Sequence, residues 1–398
     1  MTKEHLHQEK EALDRNVPPI RLFLSFLQLG ITAFGGPAMI AHIRDLSVTR
    51  NRWLSEESFK GGVVLCQSLP GATAMQVAGY VGLRAGALRG AFASYAGFGL
   101  PAFLLMFALS VFYDGSREMP LVVSLFHGLQ VIVVAIVANA TFLFGRDIAK
   151  RRVDLLLAPA AAALFWLGVS PIAVIVCAAA AGIAFLGGPA PARPSTEQKG
   201  NPGRLPRAVF AFMFLAGAAV AALYFADRKL YQLAALMLRI DLFAFGGGFA
   251  SVPLMFHEIV NVKGWMDGTT FMDGIALGQV TPGPIVITAT FVGYLVGGIP
   301  GSLVATAAIF TPSFIVLVAA TPFFDRMKGS KYFSGATRGV LASFVGLLFY
   351  ITIRFSAAVP WNAVKVLFGL AVIAALAKKV NLLYIVLAGA VLSVLLFR

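Results

Sequence analysis

From Pro19 onward the chain is a succession of apolar stretches, most of them about 20 residues long, separated by short polar or basic joints. A helix of that length crosses the hydrocarbon core of a bilayer, where every backbone group must be bonded internally. The pattern therefore restricts the fold to a membrane-embedded helical bundle. Composition agrees: 59% of residues are hydrophobic, 13% are charged and the mean hydropathy is +0.83. A soluble globule carries roughly 25% charged residues, so this chain could not cover a water-facing surface. The expected class is an all-α polytopic membrane protein.

Crossing segments are read near 20–43, 59–82, 90–112, 120–145, 153–168 and 170–187. A second group follows at 207–226, 231–254, 271–297, 301–324, 333–356, 361–377 and 380–397, about thirteen in all. Between the groups, Gly187 to Arg207 is rich in Pro and Gly, polar and basic, and reads as a linker. The division is a cytoplasmic extension (1–19), a first transmembrane unit (20–187), the linker with one extra helix (188–230), and a second unit (231–398). The extension has no secretory apolar core or cleavage site and is expected to be retained.

The second unit repeats the first. Phe34-Gly35-Gly36 recurs as Phe245-Gly246-Gly247, and Trp53 and Phe59 recur as Trp265 and Phe271. Gln67 with Pro70-Gly71 recurs as Gln279 with Pro282-Gly283, and Gly86, Gly90 and Pro101 recur as Gly297, Gly301 and Pro312. The shift is 211 or 212 throughout. So many uncommon residues in one order and spacing make an internal repeat.

The net charge of +14 would point to nucleic acid in a soluble protein. Here basic residues are expected to mark cytoplasmic joints. Arg84, Arg89, Arg146, Lys150, Arg151, Arg152 and the linker fall inside if the N-terminus is cytoplasmic. The loop 44–58 would then lie outside, its Arg44, Arg50 and Arg52 offset by Asp45, Glu56 and Glu57. The extra helix inverts the second unit, bringing Arg326, Lys328, Lys331, Lys378 and Lys379 inside and the C-terminus outside. Inverted repeats of this kind characterise alternating-access transporters. Cys66 and Cys177 lie in apolar runs without metal or redox spacing.

Two segments of each unit carry a helix breaker deep in the apolar run. These are Phe34-Gly35-Gly36-Pro37 and Pro70-Gly71 in the first, and Phe245-Gly246-Gly247-Gly248 and Thr281-Pro282-Gly283-Pro284 in the second. Proline removes a donor and consecutive glycines let the helix unwind. Broken helices at matching positions point to a midplane site, and their half-helix N-termini favour a small anion. The bland alternative is close helix packing at glycine and kinking at proline.

Gln67 and Gln279, three residues before the breaks, could coordinate an oxyanion or satisfy freed carbonyls. Thr281, Thr288 and Thr290 are weaker candidates, because threonine hydroxyls back-bond within helices. Arg239 and Asp241 either steer an anion or pair with each other. His42, His127, His257, Glu258, Asp273, Arg338 and Arg354 border the apolar runs; none makes a zinc pattern, and no acidic cluster is evident. No nucleotide loop or catalytic motif is present, so neither ATP-driven transport nor enzymatic activity is expected. No cofactor or metal is expected either.

Phe-x-x-Leu-Gly-x-x-x-Phe-Gly-Gly-Pro (Phe26 to Pro37), Gln67-Ser-Leu-Pro-Gly71 and Gln-Val-Thr-Pro-Gly-Pro (Gln279 to Pro284) resemble the chromate ion transporter family in its long, two-domain form. The resemblance covers roughly 20–185 and 230–397, and departs at Ala72, opposite Pro284. It implies an inner-membrane protein that exports chromate and confers resistance, with sulfate as a related substrate. Another oxyanion carrier, or an anion channel with the broken helices as its filter, is the alternative. Lipid is the expected surroundings, nucleic acid is not a partner, and a homodimer is a guess on which the residues are silent.

Overall fold

The computed structural model describes residues 16–34, 36–148, 152–185, 205–324 and 330–397; the expectations for residues 1–15 and 186–204 lie outside them. These residues form α-helices with no strand among them. The first half holds α1 (Pro19–Thr32), α2 (Gly36–Arg44), α3 (Glu56–Ser68), α4 (Thr73–Ser116), α5 (Pro120–Ile148), α6 (Arg152–Trp166) and α7 (Pro171–Phe185). After α8 (Leu205–Ala226), the second half repeats the series. It holds α9 (Arg228–Phe243), α10 (Gly248–Phe256), α11 (Gly268–Val280), α12 (Thr288–Ala320), α13 (Lys331–Ala358), α14 (Ala363–Ala377) and α15 (Leu382–Leu396).

The stretch 20–43, read from the sequence as one crossing, is instead a hairpin. Helix α1 has 14 residues, a rise of about 21 Å, and falls short of a hydrocarbon core of about 30 Å. It stops at Thr32, and the chain turns back through α2 and a π turn at Asp45–Arg50. The return is fixed by contacts between its two ends. Arg21 Nη2 donates to Asn51 Oδ1 at 3.5 Å, and Phe26 stacks on Trp53 at 6.4 Å. The loop 44–58 therefore lies on the face where α1 begins, which corrects its placement on the opposite face. Arg44 and Lys60 both pair with Glu56 there, and the bond from Arg44 holds the Glu56 carboxyl below its ordinary range.

The stretch 59–82 is also a hairpin. Helices α3 and α4 lie side by side with Gly62 against the Tyr80 ring. The same corrections apply to 231–254 and 271–297. Lys263 Nζ donates to Gln232 Oε1 at 3.3 Å, and Gly274 lies against the Phe291 ring. Hydropathy responds to the length of an apolar run and not to its direction, so a reversing run scores like a crossing one. Among the described residues, five helices are long and apolar enough to cross a membrane: Thr73–Ser116, Pro120–Ile148, Val209–Ala226, Ile285–Phe323 and Lys331–Ala358.

Two of those five fold back on themselves before they cross. Helix α4 reverses at Gly86 (φ −142°, ψ 25°) and Ala87 (φ 54°, ψ −154°); α12 does so at Gly297 (φ −144°, ψ 23°) and Gly298 (φ 61°, ψ −147°). Ser94 Oγ closes the first turn on the Ala78 carbonyl at 2.8 Å, and the Thr290 and Thr306 hydroxyls close the second at 2.7 Å. The start of α1 meets the first turn, Val17 N donating to Ala85 O at 3.1 Å.

The two turns lie on opposite faces. Phe107, about 30 Å of helix beyond the Ala87 turn, packs on Tyr294 just before the Gly297 turn. Near the first turn, Phe92 packs on Phe314. Helices α4 and α12 are thus antiparallel and the halves are inverted.

The halves also interlock. Gly182 and Ala178 of α7 meet Gly335 and Gly339 of α13 at backbone distance. In return, Ser393 of α15 donates to the Ser124 carbonyl of α5 at 2.6 Å and accepts from Gly128 N at 2.9 Å. Between the two long helices, Thr141 and Thr352, equivalent at a shift of 211, share a hydroxyl bond of 3.1 Å.

Candidate functional site

The four hairpin tips meet in the middle of the molecule and bond across the halves. Gly71 N donates to Ala244 O at 2.9 Å, and Gly283 N donates to Ala33 O at 3.0 Å. Ala33 and Ala244 end α1 and α9, so each Pro-Gly tip supplies a donor to an orphaned helix-end carbonyl of the other half. Gly71 (φ 105°) and Gly283 (φ 101°) hold left-handed backbone that a side chain would strain. At Gly71 a Cβ would in addition collide with Ser313.

The helices that begin at these tips begin next to one another. Gly247 lies beside Thr73 at the head of α4, and Gly248 lies against Ile285 and Val286, the 3₁₀ turn that leads into α12. Their capping sets them apart from six other helices. At the membrane faces α3, α9, α11, α13, α14 and α15 are capped by Ser55, Asp227, Asp267, Ser330, Asn362 and Asn381, each accepting from a backbone N–H. At the tips the cap positions are Ala72, Gly247 and Pro284, and no side chain caps them. No side chain accepts from the N–H groups at these interior starts. Converging helix starts with free N–H groups are suited to an anion.

The residues expected to form the site differ in where they stand. Pro70, Gly71, Gly246, Gly247, Gly248, Pro282, Gly283 and Pro284 build the tips, with Phe34 and Phe245 at the ends of α1 and α9. Gly35, and the side-chain surroundings of Gly36 and Pro37, lie outside the described residues. The glutamines differ: Gln279 Nε2 is buried without a partner, whereas Gln67 is exposed. The threonine hydroxyls are committed, Thr281 to Gly278 O at 2.9 Å and Thr288 to Ile285 O at 2.8 Å.

Arg239 does not pair with Asp241. It bonds Glu258 at 2.6 Å, with its own side chain about half exposed. Asp241 is fully buried at the centre, and its Oδ2 accepts from the Ser313 N–H (2.7 Å) and hydroxyl (2.5 Å). Gln76 Nε2 donates to Pro70 O at 2.7 Å and to Ser313 O at 3.4 Å.

A second buried acid, Asp273, accepts from Tyr113 Oη and Gln130 Nε2, both at 2.8 Å. Gln130 in turn borders a cavity of about 490 Å³ with His127, Thr269 and Pro360. The two buried acids have separate partners, and no group of three or more acids, histidines or cysteines gathers among the described residues.

Sequence reasoning passed over Ser313 and Gln76. Overlaying the halves carried the signal: Gly30 and Ala102 of the first half become Asp241 and Ser313 in the second. Two small residues in one half are replaced by a bonded pair in the other.

Comparison with known proteins places this architecture. The family model described as Chromate transporter matches residues 20–183 and again 231–394. An uncharacterized transporter of Methanocaldococcus jannaschii is 42% identical over 98% of this chain and 97% of its own length. A chromate transport protein of Pseudomonas aeruginosa is 30% identical over 97% of this chain and 95% of its own. One from Cupriavidus metallidurans is 30% identical over 82% and 80%. No solved structure matches. Two copies of one model, laid end to end over two interlocked halves, make this chain a member of the chromate transporter family.

Proposed function

We propose that the protein is a secondary transporter that exports chromate across the cytoplasmic membrane and thereby confers resistance. The observation that supports the reading most is the set of helix starts meeting at the centre without a side-chain cap, at Ala72, Gly247 and Pro284, where six other helices are capped by side chains. Such amides bind a small oxyanion without a fixed cation to trap it. Direction follows from charge. One charge moved through 100 mV is worth about 2.3 kcal/mol, so a dianion leaving a negative interior gains about 4.6 kcal/mol. Exchange for another anion would serve as well. Backbone amides select shape and charge and not the central atom, so sulfate or another tetrahedral oxyanion is the second reading.

The face bearing Arg21, Arg44, Arg84, Arg89 and Arg146 is assigned to the cytoplasm by its basic residues. The N-terminus is then inside and the C-terminus outside, and the return of loop 44–58 adds three arginines to the basic face. The functional units are 20–187 and 231–398, with 188–230 as linker and inverting helix. The exposed Phe210, Phe214 and Phe225 of α8 meet lipid.

The test is chromate flux in sealed vesicles of known orientation with an imposed potential. Movement from the cytoplasmic side, driven by the potential and competed by sulfate, is the expected result. Gln279→Leu and Pro282→Ala should lower flux at least tenfold at normal membrane levels, and exposed Gln67→Leu should cost less than threefold. Wild-type flux in the Gln279 and Pro282 variants would remove the tip site.

A further inference from the structure

We propose that Asp241 is a proton site linked to anion occupancy: an oxyanion held at the hairpin tips is accompanied by a proton on this carboxyl. The inference rests on the anion-carrying reading and names its coupled ion. Asp241 lies at the last turn of α9, directly beneath the Gly71 tip; a Cβ on Gly71 would come within 3.0 Å of its Oδ1. The acid is therefore next to the chain segment whose neighbours present the free amides.

Its hydrogen bonding is incomplete in one sense only. Oδ2 takes both donors of Ser313, while Oδ1 is buried without a partner. Gln76 Oε1, on the other side of Ser313, is a second buried acceptor without a partner. Its amide cannot be turned to help, because Nε2 already donates to Pro70 O, which can only accept. Two acceptors stand idle around one residue and the missing partner is a donor. A proton on Asp241 turns Oδ1 from an acceptor into a donor, which buried polar groups require.

Among the described residues no cation pairs with the carboxylate. Ser313 of α12 bonds it and Tyr95 of α4 stands near it, while Gln76 of α4 bonds Ser313 and Cys66 of α3 stands near Tyr95. The Tyr95 hydroxyl is spent on Phe310 O at 3.0 Å. Arg239, on its own helix, is engaged with Glu258. An ionised Asp241 would repel a dianion at the tips, so the anion and the negative carboxylate exclude each other. Anion binding then draws in a proton, and protonation favours anion binding by the same factor. A dianion carried with one proton moves one net charge instead of two.

The test uses purified full-length protein in detergent with sulfate as the probe, since sulfate does not itself titrate near neutrality, and chromate in parallel. Sulfate addition in weak buffer should take up one proton per site, read by a pH dye. The Kd should fall about tenfold for each unit of pH decrease over the range in which free Asp241 is ionised. Asp241→Asn should bind at a pH-independent Kd with no proton uptake. Binding in the wild type without proton uptake, or equal pH dependence in Asp241→Asn, overturns the proposal and leaves the anion site standing. Binding that requires sodium and moves no proton also overturns it, assigning the orphaned oxygens to a metal cation. Failure of both anions to bind folded protein at any pH defeats the tip site and this inference together.

Discussion

At the scale of single residues, Ala87 is the strained position. Its φ of 54° and ψ of −154° lie where glycine alone is comfortable, and its counterpart in the other half is Gly298. Ala87→Gly should therefore stabilise the protein by about 1 kcal/mol, and Gly298→Ala, whose added carbon meets no neighbour within 4 Å, should destabilise it by a similar amount. Reversible unfolding in detergent would measure both. A loss of stability in Ala87→Gly would mean that the alanine side chain packs well enough to outweigh its backbone. The residue scale is also where the sequence misled. Arg239 and Asp241 look like a pair when written in line, but two residues on a helix point roughly 200° apart. One therefore meets Glu258, with its side chain half exposed, and the other Ser313 in the interior.

At the scale of elements, the repeat and its breaks were legible because glycine and proline are placed by backbone need, which no lipid or packing context conceals. The path of the chain after each break was not legible. Unwinding at Phe34-Gly35-Gly36 is compatible with passing straight on or with turning back, and only contacts such as Phe26 on Trp53 decide between them. The decision can be checked by labelling. In a background with Cys177→Ala, a cysteine at position 51 should react with an impermeant maleimide only from the cytoplasmic face. One at position 263 should react only from outside. Labelling of both from a single face would contradict the inverted hairpins. The convergence of tips was anticipated in outline; the unequal fate of Gln67 and Gln279 was not, since both sit at the same offset from a Pro-Gly pair.

At the scale of the whole molecule, neither half has a complete core of its own. Helices α6 and α7 close on α13, and α14 and α15 close on α5. A chain cut within 188–204 should yield two fragments that are degraded when made singly and recovered together, with flux restored, when made in one cell. Immunoblots of membranes would read the result, and a stable lone fragment would count against the exchange of helices.

The Thr141–Thr352 bond carries a consequence for ancestry. A side chain that meets its own counterpart is what a symmetry axis produces in a dimer of identical subunits. An ancestor made of two separate copies would have depended on concentration to assemble, and each change in its gene would have appeared at both ends of the axis. An acid in place of Gly30 would have come twice. Joining the copies made assembly intramolecular and allowed one to change without the other. A single carboxylate beside the hairpin tips, present in one half as Asp241 and absent from the other, is an arrangement that two identical copies cannot make.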